Sequence, residues 1–278
     1  MPFPKSNGRA VVTGAGSGLG RAFAMELAKR GGRLLLSDVN QVGLQETAKL
    51  VTSDAREVHV TQCDVSKLAD VEALGREAER VLGGVDLVIN NAGVAVGGKV
   101  GDVPITDWEW IVSINMWGVV YGCHVFVPKL RAQRSGHVIN VASAAGLLSP
   151  PMMGPYNVTK AAVVALSETL HAELSQDGVG VTVLCPTFFR TNIGKNARGT
   201  DATLSSIVEK RMDESKVQAG DVARIALDAA QKNVLYVVPQ ADGQWSWRIK
   251  RMMPERFQSM APKVIARLTR KAAAARRD

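Results

Sequence analysis

The chain has 278 residues, 46% of them hydrophobic and 22% charged, which is the balance of a globular protein large enough to bury a full core. Its net charge of +8 belongs to one end: residues 245–278 carry ten basic and two acidic side chains, whereas residues 1–244 carry 24 of each. The body therefore has no basic stripe of the kind that marks a nucleic-acid binder.

In chain order, strand and helix signals alternate. Short apolar strands are expected at residues 9–13, 34–36, 58–62, 87–89, 137–141, 181–184 and 235–238. Helices are expected at 18–30, 40–52, 66–82, 107–132, 156–176 and 219–231, the first ended by Gly31-Gly32. Strands of nearly continuous apolar residues between helices predict a parallel sheet covered on both faces, the doubly wound α/β class of Rossmann type. No linker, repeat or low-complexity tract divides it beyond residues 272–275. The expected organisation is one α/β body over 1–244 and a helical extension over 245–278.

No apolar run reaches the ~18 residues that cross a bilayer, and residues 1–10 lack a signal-peptide core. Cys63, Cys123 and Cys185 are odd in number and far apart, with no CxxC spacing. They read as buried small hydrophobes, so no metal is expected and a reducing, cytoplasmic location is.

Tyr156 and Lys160 stand four apart at the start of a helical stretch, so phenol and ammonium share one face. A nearby cation favours the phenolate and lowers a tyrosine pKa, which makes the pair a proton-transfer device. Thr13 to Gly20 is a glycine-rich turn between the first strand and the first helix. Such a turn approaches a pyrophosphate closely, with helix N–H groups aimed at it. Asp38 ends the second strand, where a carboxylate accepts from an adenosine ribose and repels a 2′-phosphate. Neither Ser17 nor Val39 is basic, so NAD is favoured over NADP.

Together these motifs resemble the classical short-chain dehydrogenase/reductase family, from Arg9 to about Val238. Gly14, Gly18 and Gly20 match its TGxxxGxG, Asn90-Asn91-Ala92-Gly93 its NNAG, and Asn115, Ser143, Tyr156 and Lys160 its catalytic tetrad. The resemblance implies cofactor contacts at Gly14, Ser17, Gly18, Leu19, Gly20, Asp38, Asp64, Val65, Asn91, Ala92, Gly93, Tyr156, Lys160, Pro186 and Thr191. It implies that Tyr156 moves the substrate hydroxyl proton, that Lys160 lowers its pKa and holds the nicotinamide ribose, that Ser143 orients the substrate oxygen, and that Asn115 holds a relay water. One position departs. The family usually reads Pro-Gly after the sixth strand, and here Thr187 follows Pro186. A β-branched residue disfavours positive φ, so the turn must differ, which affects the carry-over at Thr187 and Ile193.

The expected activity is an NAD(H)-dependent interconversion of a secondary alcohol and a ketone. A non-catalytic NAD(H)-binding scaffold is the alternative, and another reaction on the same scaffold is a third reading. Apolar Leu147, Leu148, Met152, Met153, Phe188 and Phe189 flank the site, with Leu148, Met153, Phe188 and Phe189 as candidate substrate contacts. They suggest a lipophilic substrate, with residues 191–212 as a lid hinged at Gly194 and Gly199. A homodimer or homotetramer through the two long helices is expected. Ile249, Met253, Phe257, Met260, Val264 and Leu268 form an apolar stripe among cations, with Pro254 and Pro262 at helix starts. Such a tail packs on its own body, docks on a partner subunit or lies on an anionic membrane.

Overall fold

The computed structural model describes residues 6–194, 197–199 and 202–260. Seven parallel strands form one sheet in the order β3-β2-β1-β4-β5-β6-β7. The strands are β1 (Arg9–Thr13), β2 (Arg33–Asp38), β3 (Glu57–Gln62), β4 (Leu87–Asn90), β5 (Gly136–Val141), β6 (Val179–Leu184) and β7 (Tyr236–Val237). The central strands β4, β5 and β6 are buried throughout, as their unbroken apolar runs require, while the edge strand β3 is only half-buried.

Helices α1 (Gly18–Lys29), α2 (Gln41–Val51), α3 (Leu68–Leu82), α4 (Ile105–Val112), α5 (Gly118–Ala132) and α6 (Ala144–Leu148) connect the first strands. Helices α7 (Gly154–Glu173), α8 (Ala202–Glu214), α9 (Ala219–Gln231) and α10 (Ala241–Met252) follow. Each face of the sheet has its own core. One face packs β-strand side chains against α3 and α5 through Leu74, Phe126 and Leu130, the other against α1 and α9 through Phe23, Ala24 and Leu227. The chain leaves β1 in one direction to β2 and β3 and returns to β4 on its other side. That reversal opens a crevice beyond the carboxyl ends of β1 and β4, where doubly wound proteins bind ligands.

One expectation changes here. Helix residues 105–132 are, by length and composition, apolar enough to cross a membrane, which the search for a single unbroken apolar run overlooked. Their apolar side is core: Ile111, Val119, Cys123, Phe126 and Leu130 are buried against the body. Helix α10 begins at Ala241 and is seated on the body from its first turn. Gly243 of α10 is buried, and a Cβ there would stand 2.6 Å from the Thr187 methyl.

Candidate active site

The first half of the crevice is shaped by glycine. Gly14 takes φ +65, and a Cβ on it would lie 2.7 Å from Ala92 Cα. A Cβ on Gly20 would lie 2.0 Å from the Gly14 carbonyl oxygen, so α1 can pack on the turn only without a side chain there. Ser17 is the extended residue before α1 and makes no side-chain cap, which leaves the first N–H groups of the helix to a ligand. Asp38 braces the turn: Oδ2 accepts from Gly16 N at 2.8 Å and Oδ1 from Asn40 N at 2.8 Å. Arg21 approaches the same turn but is held by the Gly16 carbonyl at 2.7 Å and Glu46 at 2.9 Å. Asn91 ties β4 to the turn by donating from Nδ2 to the carbonyls of Thr13 and Gly14. Burial works to raise the Asp64 carboxyl, yet hydrogen bonds from Ser66 and contact with Lys67 hold it below the usual range. Leu19 and Val65 are buried core side chains, so only their backbones are left to meet a ligand.

The second half is shaped by side chains. Ser143 caps α6, its Oγ accepting from Ala145 N at 3.1 Å. Tyr156 lies in the first turn of α7, its ring packed against a small cluster of Val96, Val103 and Ile111. Lys160, one turn on, is 3% exposed, and its Nζ donates to the Val141 carbonyl at 2.9 Å. Burial pushes this ammonium down to about 8, with nearby Cys185 opposing. Burial likewise pushes the Tyr156 phenol up, and a hydrogen bond with Ser143 offsets only part of this. The direction for Tyr156 is upward in this geometry, against the lowering expected from Lys160: burial is the largest cause, while Nζ stands 5.7 Å from the ring centroid and directs one N–H to the Val141 carbonyl. Asn115 is fully buried in a π-helical turn, Ser113–Trp117, that splits the long helix. Its amide clasps Val94, accepting from N at 2.8 Å and donating to O at 2.9 Å. A Cβ on Gly93 would lie 3.2 Å from Asn115 Oδ1 and 3.4 Å from Lys160 Nζ, so these two side chains meet at that glycine.

Three loops close over this half. Gly97 N donates to the Arg198 carbonyl and Arg198 N to Ala95, while Gly98 N donates to Met152. Arg198 lies 3.7 Å over the Trp110 ring and 3.1 Å from Asp107, which fixes residues 197–199 to α4. Ser149 and Met152 both adopt positive φ in this stretch, a strained conformation held by its surroundings.

The family model described as short chain dehydrogenase matches residues 9–202. An uncharacterized oxidoreductase of Staphylococcus aureus is 36% identical over 69% of this chain and 82% of its own length. The chain belongs to the short-chain dehydrogenase/reductase family. A crystal structure of a family member from Burkholderia phymatum in complex with NAD is 36% identical, with a TM-score of 0.86 over 91% of this chain and 96% of that one. Levodione reductase is 28% identical, with a TM-score of 0.78 over 87% of this chain and 98% of that one. The protein named "Probable oxidoreductase EphD" of Mycobacterium tuberculosis is 31% identical over 90% of this chain but only 44% of its own length.

Within this family the departure at Thr187 is resolved by its neighbour. Thr187 does not take positive φ; its N–H donates to Gln240 Oε1 at 3.0 Å, and its methyl occupies the space left by Gly243. Pro186 and Thr191 lie nearby, Pro186 O accepting from Ala144 N and Thr191 Oγ1 from Ile193 N. Phe189, expected to meet substrate, is only 7% exposed and belongs to the core between α1 and α9. Leu147 is likewise core, whereas Leu148 and Met153 are half-buried and Phe188 is 39% exposed. At Gly199, expected as a hinge, a Cβ would lie 2.4 Å from the Gly97 carbonyl, so the close approach of these two backbones requires glycine. Cys63, Cys123 and Cys185 are buried and free, and among the described residues no cluster fits a metal. Sequence reading missed Arg198 and Arg21, whose partners are distant in the chain. It also missed Thr13, whose Oγ1 accepts from Asn91 N at 3.0 Å and Ala92 N at 3.1 Å.

Proposed function

We propose that this chain is an NAD(H)-dependent oxidoreductase that interconverts a lipophilic secondary alcohol and its ketone. The observation that carries this is the convergence of Ser143, Tyr156 and Lys160 beside a glycine turn too tight for any side chain at Gly14 or Gly20. The turn fits a dinucleotide pyrophosphate, because the absent Cβ atoms let it pack tightly on Ala92 and on α1, whose first N–H groups carry no side-chain cap and would face the phosphates. Asp38, already accepting from two backbone N–H groups, would take ribose hydroxyls and disfavour a 2′-phosphate, which supports NAD over NADP. Asp64 and Val65, with Asn91 and Gly93, would flank the adenine and ribose. When bound, the dinucleotide supplies the hydride acceptor or donor.

The chain's own residues handle position and protons. Ser143 Oγ donates to the substrate oxygen and holds it next to the phenol. Tyr156 Oη gives a proton to that oxygen in ketone reduction and takes one in alcohol oxidation. With its pKa raised by burial, the phenol is ready as an acid; oxidation requires the Lys160 charge to be turned toward it. Asn115 holds the Val94 backbone and so fixes the loop that carries Gly93 against Lys160. The low polarity of Leu148, Met153 and Phe188 supports a lipophilic substrate. Exposed Trp117, which ends the π-helical turn leading into α5, and Val158 on α7 support a homodimer or homotetramer through these helices.

NADH and NADPH titrations of wild type and Asp38→Ala, with turnover of Tyr156→Phe on a panel of lipophilic alcohols, test this reading. Expected are tighter NADH than NADPH binding, a preference relaxed by Asp38→Ala, and turnover lowered on the order of 10²–10⁴-fold in Tyr156→Phe with NADH binding kept. Wild type that binds NADH but turns over no alcohol or ketone would leave only a dinucleotide-binding scaffold, and a Tyr156→Phe protein that turns over like wild type would remove Tyr156 from the proton step.

A further inference from the structure

The apolar stripe of the tail is interrupted at Pro254, an expected helix start. Helix α10 ends at Met252, Met253 takes φ −139, and helical residues resume at Pro254 and run to residue 260. Val264, Leu268 and Pro262 lie outside the described residues. The break separates a docked side from a free side.

The docked side of α10 carries Gly243, Trp247 and Lys250. Trp247 packs on the Tyr236 ring at 4.9 Å between centroids, and Lys250 Nζ donates to the Leu147 carbonyl at 2.7 Å. These contacts hold α10 against α6, the helix that Ser143 caps. The opposite side carries Trp245, Ile249 and Met252, spaced four and three apart and therefore on one face. They are 63%, 38% and 80% exposed, and Met253 and Met260 continue the exposure beyond the break. Cations border this face: Arg248 lies over the Trp245 ring and Arg251 over the Trp247 ring. Between residues 243 and 260 Glu255 is the sole acidic residue, and residues 261–278 add six basic side chains against Asp278.

We propose that this face docks on an anionic lipid surface. A bilayer with acidic headgroups takes both parts at once: Trp245, Ile249 and Met252 enter the headgroup boundary while arginines meet the phosphates. A nucleic acid would satisfy the cations and leave an indole and a methionine in water. A second copy is disfavoured by charge, because a two-fold contact sets this patch, and its arginines, against itself. The docked side fixes the orientation, so the lipid surface lies across α10 from α6. The proposal does not depend on the catalytic reading, since binding is read without turnover.

The test is vesicle flotation of the full chain with phosphatidylcholine alone and with added phosphatidylserine, at low and high salt. The variants are Trp245→Ser with Met252→Ser, and Arg248→Gln with Arg251→Gln. All four positions are exposed, so circular dichroism and thermal melting should match wild type. Expected is flotation only with phosphatidylserine, weakened by salt and reduced about tenfold in each double variant. Absence of flotation, or flotation unchanged in both variants, overturns the proposal. So does a size-exclusion dimer that dissolves in the apolar double variant without any flotation, or salt-sensitive binding to DNA but not to vesicles.

Discussion

The two halves of the crevice are built by opposite means. Around β1 and β2 the site is made by leaving side chains out: Gly14 and Gly20 bring backbone against backbone, and Asp38 and Asn91 stitch the turn with hydrogen bonds. Around β4, β5 and α7 it is made by forcing side chains in. Lys160 is buried as a cation, Asn115 sits in a π-helical turn, and Ser149 and Met152 hold positive φ. The first half is sterically intolerant yet relaxed. The second is tolerant of shape but stores unfavourable energy, as sites that shift pKa values must.

Gly20→Ala should break the first half hardest. Its Cβ would meet the Gly14 carbonyl oxygen at 2.0 Å, so thermal or urea melts should show a loss of about 3 kcal/mol or more, together with lost NADH binding. Gly18→Ala meets nothing closer than 3.8 Å and should cost only about 1 kcal/mol for its positive φ. Equal costs at the two positions would show that sterics do not set the turn.

Lys160→Met probes the energy stored in the second half. The folded ammonium titrates near 8 against an ordinary 10.5, so between those values the unfolded chain binds more protons. Wild-type stability should therefore gain on the Met variant as pH rises from 8 to 10.5, by about 3 kcal/mol. Urea melts of both proteins at the two pH values cancel the titrations they share. A constant difference would mean that the ammonium is solvated. Activity of the Met variant should be lost at every pH.

Arg198→Ala gives the smallest effect. Removing the stack on Trp110 and the ion pair with Asp107 should loosen the loops by about 1 kcal/mol. The signature is a KM raised a few-fold with kcat kept within about twofold, since no reacting atom is touched. Unchanged KM would show that residues 197–199 do not position substrate.

Much of this was legible in sequence because it is local. The strand runs, the glycine turn and the four-residue step from Tyr156 to Lys160 depend on neighbours along the chain. Helix α6 escaped because five residues give too little period to read, and α8 because its polar composition resembled a lid loop. Phe189 was misplaced for a related reason: the residue after an exposed Phe188 can turn either way, and only the packing of α1 and α9 shows that it turns inward. Thr187 looked like a defect until Gly243, distant in the chain, was seen to receive its methyl.

The sequence by itself determined the doubly wound class, the family and the residue types of the site, since hydrophobic period, glycine placement and motif spacing are written along one dimension. The tertiary structure decided the quantities that arise from contact. It buried Lys160 and Tyr156 far enough to move their proton affinities in the directions found. It turned Asn115 onto Val94, locked Arg198 over Trp110, and left one face of α10 bare while fastening the other to α6. Desolvation and packing depend on what stands opposite a side chain in space, and no spacing along the chain encodes that directly.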